Sequence, residues 1–148
     1  MLSVIIDARR GAPELPVLLA QLTAGAVDGL VRQVLLVAGP GQAGIDLLCE
    51  ETGAEAHDSL EAAAAAARAE WLVVAPADFR LRDGWIKALE THLAAGGGAA
   101  LVSGLGPGGL LGRSPWAVLV ERRRLEHRRG ADLKRLRRDL GLRPVRIG

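Results

Sequence analysis

Three short segments punctuate the first half of the chain with apolar runs: Leu2–Asp7, Val31–Ala38 with Val34-Leu35-Leu36-Val37 fully apolar, and Trp71–Ala75. Runs this short, without alternation, predict strands buried on both faces. Between them the period changes. Leu15, Leu18, Leu19 and Leu22 give the stripe of an amphipathic helix, with Pro13 and Pro16 where a first turn tolerates proline. Ile45–Thr52 predicts a second helix, stopped by Gly53. Asp58-Ser59-Leu60-Glu61 reads as a capping box with Asp58 as N-cap, opening a helix through the alanines Ala62–Ala67. Asp83 is expected to cap a helix whose inner face is Trp85, Ile86, Leu89 and Leu93, ended by Gly96-Gly97-Gly98. Ala99–Ser103 and Trp116–Val120 predict further strands, separated by a glycine-rich loop over Gly104–Gly112. Asp132–Leu140 predicts a helix with Leu133, Leu136 and Leu140 inward and Lys134, Arg135, Arg137 and Arg138 outward, and Arg143–Ile147 a last short strand. Strands alternating with helices predict an α/β fold, a three-layer sandwich around a mostly parallel central sheet.

Composition narrows the chemistry. The 148 residues suit one domain, and 49% hydrophobic content supports a real core. With 3% aromatic residues and no tyrosine, the chain lacks the platforms that base-stacking RNA and single-strand readers use. Cys49 is the one cysteine, which excludes an internal disulfide framework and a cysteine-rich zinc site. The net charge of +2 hides an asymmetry: residues 1–112 hold 7 basic and 13 acidic side chains, residues 113–148 hold 12 basic and 4 acidic. A basic end this dense can meet phosphates, a membrane surface or an acidic partner, and it can equally be a solvated helix face. The first residues have no positive n-region and reach Asp7 after a short apolar run. The longest uncharged run, Thr91 to Gly112, is broken by glycines and Pro107. The expectation is a soluble cytoplasmic protein.

In open α/β sheets ligands bind beyond the carboxyl ends of the strands. Those ends are Asp7-Ala8-Arg9-Arg10, Ala38-Gly39-Pro40 and Pro76-Ala77-Asp78. Asp78 can hold a metal or a ribose hydroxyl, or simply cap a turn. Arg9 and Arg10 can meet a diphosphate through charge-assisted bonds. The loop Gly104–Gly109 lacks the Lys and Ser/Thr of a P-loop and the position of a dinucleotide fingerprint, so it reads as a connection. No nucleophile elbow or Ser/His/Asp set is present, and no catalytic residue is assigned.

The order of residues resembles family 2 glycosyltransferases, which have the nucleotide-diphospho-sugar transferase (GT-A) fold, in their short bacterial branch. Three stretches carry the resemblance: Leu2–Asp7, Ala26–Val37, and Ala67–Asp78 followed by Leu81 and Gly84-Trp85. Asp132–Leu136 and Arg143–Ile147 resemble the later helix and strand. The resemblance implies one glycosyltransferase-like domain over 1–148. Residues 1–103 would form the nucleotide-binding half, and 104–148 a shortened, Arg-rich acceptor-side half. It places Ala8, Arg9, Arg10, Ala38 and Asp78 at the nucleotide site, with Asp78 on a divalent metal, Mn or Mg. It also exposes departures. Ala38 stands where the family reads the base with an acid. Pro76-Ala77-Asp78 keeps only the last acid of the metal motif. The catalytic acidic pair falls near Arg129-Gly130. The expectation is a glycosyltransferase-like protein that has lost or altered sugar transfer and retains nucleotide or nucleotide-sugar binding. One alternative is an active metal-dependent glycosyltransferase; another is a module binding an anionic partner through the basic C-terminal region. A nucleotidyltransferase would be expected to carry a glycine-rich phosphate loop after the first strand, where only Gly11 stands.

Overall fold

The computed structural model describes all residues except 12, 107–114, 126–131, 140–145 and 148. The predicted runs become strands β1 (Leu2–Asp7), β2 (Val31–Val37) and β4 (Trp71–Pro76). Two strands go unseen in the sequence, β3 (Glu55–His57) and β5 (Arg80–Leu81). The later strands are β6 (Ala100–Leu105), β7 (Trp116–Glu121) and β8 (Arg146–Ile147). Their order is β3-β2-β1-β4-β7-β6-β5, with β8 also on β6. Over β3-β2-β1-β4 every pairing is parallel. β7 then joins β4 antiparallel, and β6 joins β7 and β5 antiparallel. The sheet is therefore mixed: parallel over β3-β2-β1-β4, antiparallel from β4 through β7 and β6 to β5, and parallel again where β8 joins β6.

Side-chain alternation along β1 divides the core. Leu2, Val4 and Ile6 face the helices α1 (Leu15–Val27), α2 (Ile45–Thr52) and α4 (Trp85–Ala94), through Leu15, Leu18, Leu22, Ile45 and Leu89. Ile5 faces the opposite layer, α3 (Leu60–Ala66) and α5 (Leu133–Asp139), where Leu60, Ala63, Ala64 and Leu136 are buried. The alanine side chains of α3 bring that helix close to the sheet. These are the three layers that the sequence predicts.

Several local expectations are corrected. Ser59, not Asp58, caps α3: its hydroxyl accepts from Ala62 N at 3.0 Å. Asp83 does not cap α4; the chain turns through Gly84 at φ 80°, a left-handed conformation suited to glycine, and no side chain caps the helix. The loop placed at Gly104–Gly112 starts later, because Gly104 lies within β6. A Cβ there would collide with the buried Phe79 ring, so the strand needs glycine for packing. Asp132 accepts from Arg135 N at 2.7 Å at the start of α5. Leu140 and residues 143–145 lie outside the described residues.

Candidate functional site

Strand register sets the site. Asp7 pairs with Val37 on one side and with Pro76 on the other, and Val37 pairs with His57. Asp58, Ala38, Ala8 and Ala77 therefore begin the four loops at one level, each about 5 Å from the next across the sheet. This is the carboxyl edge of the parallel half.

Over β2 and β3 the edge opens into a pocket of about 540 Å³. Ala38, Gly39, Gln42, Asp46, His57 and Asp58 are among its lining residues. Ala38 is buried, so it shapes the floor rather than supplying a polar group. Asp46 and Asp58 are exposed and bring carboxylates to the rim. Among the described residues the His57 Nε2, sealed from solvent, has no hydrogen-bond partner and lies 3.8 Å from a Glu55 carboxylate oxygen. Among the described residues, β3 is what brings His57 and Asp58 here.

Over β1 the chain turns through Ala8-Arg9-Arg10-Gly11. Ala8 is buried, and its N–H donates to Val37 O at 2.8 Å. Arg9 grips Asp7: Nε donates to one carboxylate oxygen at 2.9 Å and Nη2 to the other at 2.8 Å, while Arg9 N donates to the first at 3.2 Å. Burial pushes the Asp7 carboxyl up, but Arg9's hydrogen bonds and the charges of Arg9 and Arg10 outweigh it and hold it below its ordinary value. The Arg9 guanidinium is held above its ordinary value, chiefly by the bond to Asp7 and also by the charge of Asp132. The start of α5 thus comes within electrostatic range of this turn. Arg10 is exposed.

Gln42 joins the two parts. Its amide nitrogen donates to Ala8 O at 2.7 Å, and its amide oxygen accepts from Gly39 N at 3.0 Å. The arginine turn and the pocket floor are held together by one side chain.

Beyond β4, Ala77 is 5% exposed with its methyl in the core, and Asp78 stands exposed in the turn. Phe79 turns into the core instead of filling the edge, and Arg80 pairs with Glu14. Among the described residues no three His, Cys, Asp or Glu side chains gather where they could hold a metal ion. Asp7 is committed to Arg9, so Asp78 is the sole carboxylate that the Pro76-Ala77-Asp78 turn offers. Asp78 gives a divalent cation one protein oxygen, the lower limit of the one or two carboxylates that such an ion takes beside phosphate and water, so this turn alone is a weak cation site. Arg129 and Gly130 lie outside the described residues. No described helix is long and apolar enough to cross a membrane.

The sequence-predicted residues thus divide. Ala38 reaches the pocket, Arg9 and Arg10 the adjoining turn, and Asp78 the far side of that turn over β4. Ala8 contributes backbone only. Gln42, His57, Asp46 and Asp58 were not singled out as site residues. Asp58 resembled a helix cap, and only the capture of that role by Ser59 leaves its carboxylate at the pocket.

No protein-family model matches the chain, and no curated protein matches it in sequence. Solved structures do share its fold. The 4-diphosphocytidyl-2C-methyl-D-erythritol synthase of Anaerococcus prevotii is similar at TM-score 0.59 and 10% identity, over 99% of this chain and 87% of that one. HddC from Yersinia pseudotuberculosis is similar at TM-score 0.54 and 12% identity, over 87% and 80%. The chain has the nucleotide-diphospho-sugar transferase fold, GT-A-like, as the sequence resemblance implies.

Proposed function

We propose that this protein binds a nucleotide or nucleotide sugar at the carboxyl edge of β1–β3 and has lost the sugar transfer of the family it resembles. The observation that carries the reading is the pocket over β2 and β3, tied by Gln42 to a turn bearing two arginines. The two parts differ in charge. Carboxylates at Asp46 and Asp58 favour the hydroxyl and amino donors of a nucleoside, while Arg9 and Arg10 favour phosphate oxygens. A nucleotide laid from β3 towards β1 meets both in the right order. The loss of transfer is supported by what fills the family's acidic positions: buried Ala38 and buried Ala77, which offer no carboxylate.

Calorimetric titration with uridine, cytidine, guanosine and adenosine diphosphates tests the binding reading. The cytidine member is included because one structural neighbour is named for a diphosphocytidyl product. Binding of at least one at or below about 1 mM is expected; absence of binding by all four at that level contradicts it. Incubation with the matching nucleotide sugars is expected to give no turnover. Turnover abolished by Asp78→Ala would establish the active metal-dependent glycosyltransferase instead. The remaining alternative, capture of an anionic partner, rests on the exposed Lys134, Arg135, Arg137 and Arg138 of α5. It requires binding that weakens steeply with salt and is lost when those four are neutralised.

A further inference from the structure

We propose that this chain recognises the diphosphate of its nucleotide without a divalent cation, through Arg9 and Arg10, with Asp7 as the positioning residue for Arg9. The proposal rests on the nucleotide-binding reading and adds how the phosphates are held. It begins from a mismatch of residues. The turn after β4 offers Asp78 alone, Ala77 is buried among apolar side chains, and both Asp7 oxygens accept bonds from Arg9. The carboxylates that would share a cation are missing or already engaged.

The same edge carries cationic donors. A guanidinium presents five N–H groups in a planar fork and stays charged at any working pH. Arg9 directs Nε and one Nη2 hydrogen to Asp7, which fixes the plane of the fork. Among the described residues no hydrogen bond takes the Nη1 hydrogens or the outer Nη2 hydrogen, which leaves them for a ligand. Arg10 is the next residue, exposed, and near enough for its charge to act on Asp7. Asp7 offsets one of the two positive charges, and Asp132 acts on Arg9 from the start of α5. The Gln42 bond to Ala8 O places this turn beside the pocket, on the neighbouring strand. Two arginines at successive positions, one with its guanidinium held in orientation, can take the oxygens of a diphosphate by charge-assisted bonds that a cation would otherwise supply.

The test is calorimetric titration of the full chain with the tightest of the four nucleoside diphosphates, once in EDTA and once in millimolar Mn2+. The expected affinities agree within about threefold. Arg9→Ala/Arg10→Ala is expected to weaken binding in EDTA by about tenfold or more and to narrow the preference for the diphosphate over the bare nucleoside. Asp7→Asn removes a negative charge, which alone would tighten binding; as a positioning residue its loss is expected to weaken it. Should the double variant unfold, Arg10→Ala alone reads the same effect at an exposed side chain. Binding seen only with Mn2+, or unchanged in the arginine variants, overturns the metal-free proposal and leaves the nucleotide reading standing. Failure of all four diphosphates under both conditions removes the nucleotide reading, and this proposal with it.

Discussion

Asp7 is under opposed influences. Burial raises its pKa, while the Arg9 bonds and the charges of Arg9 and Arg10 lower it below its ordinary value overall. A carboxyl with a depressed folded value adds stability that is complete above its unfolded value. That stability is lost as pH falls through the folded value. Urea unfolding from about pH 5 to pH 2 should therefore show a steeper loss in the native chain than in Asp7→Asn. Parallel curves would contradict the pairing. A second residue-scale test concerns packing. Gly104→Val would drive a side chain into the Phe79 ring, at a cost of about 1–3 kcal/mol in unfolding free energy. An unchanged midpoint in urea would show that the ring has room to move. At this scale the sequence revealed charged residues at strand ends, Arg9, Arg10 and Asp78, because an acid or arginine beside an apolar run is conspicuous. It could not reveal Gln42, whose role comes from a bond across 34 positions to Ala8, or Gly104, whose partner Phe79 arrives from another loop.

The elements show why some segments were readable. β1, β4 and the Leu35–Val37 end of β2 are buried on both faces, so their apolar character is nearly continuous, while Arg32 at the start of β2 is exposed. β3 has 3 residues and β5 has 2, too few to display any period. β5 is held partly by a side chain: Gln21 Nε2 donates to Leu81 O at 3.0 Å, and Leu81 N donates to Gln21 Oε1 at 2.9 Å. Gln21→Leu should speed hydrogen exchange of the Leu81 amide and leave the β1 amides protected; equal protection at Leu81 would mean the strand holds without that amide. The start of α3 gives the cleanest separation of two adjacent residues. Ser59→Ala should lower stability by about 1 kcal/mol through loss of the Ala62 cap, whereas Asp58→Ala should leave stability nearly unchanged and act on ligand binding. A reversed order in thermal or urea unfolding would restore Asp58 as the cap.

Across the whole molecule, the parallel half followed from strand–helix alternation, since parallel neighbours need a crossover. The antiparallel pairings of β7 with β4 and β6 carry no comparable signal, because the period of a strand is the same in either direction. The uneven charge also gains a location. Basic side chains of α5 point outward on the layer shared with α3, while Asp132 at the start of that helix acts on Arg9 at the carboxyl edge. The central claim is that a nucleotide occupies the edge spanned by β1, β2 and β3. Backbone amide shift mapping of the isotope-labelled chain, titrated with the tightest nucleoside diphosphate, tests it most directly. Shifts concentrated at Arg9–Gly11, Gly39–Gln42 and His57–Asp58 are expected. Shifts concentrated instead along Lys134–Arg138, with those three loops unmoved, would contradict it.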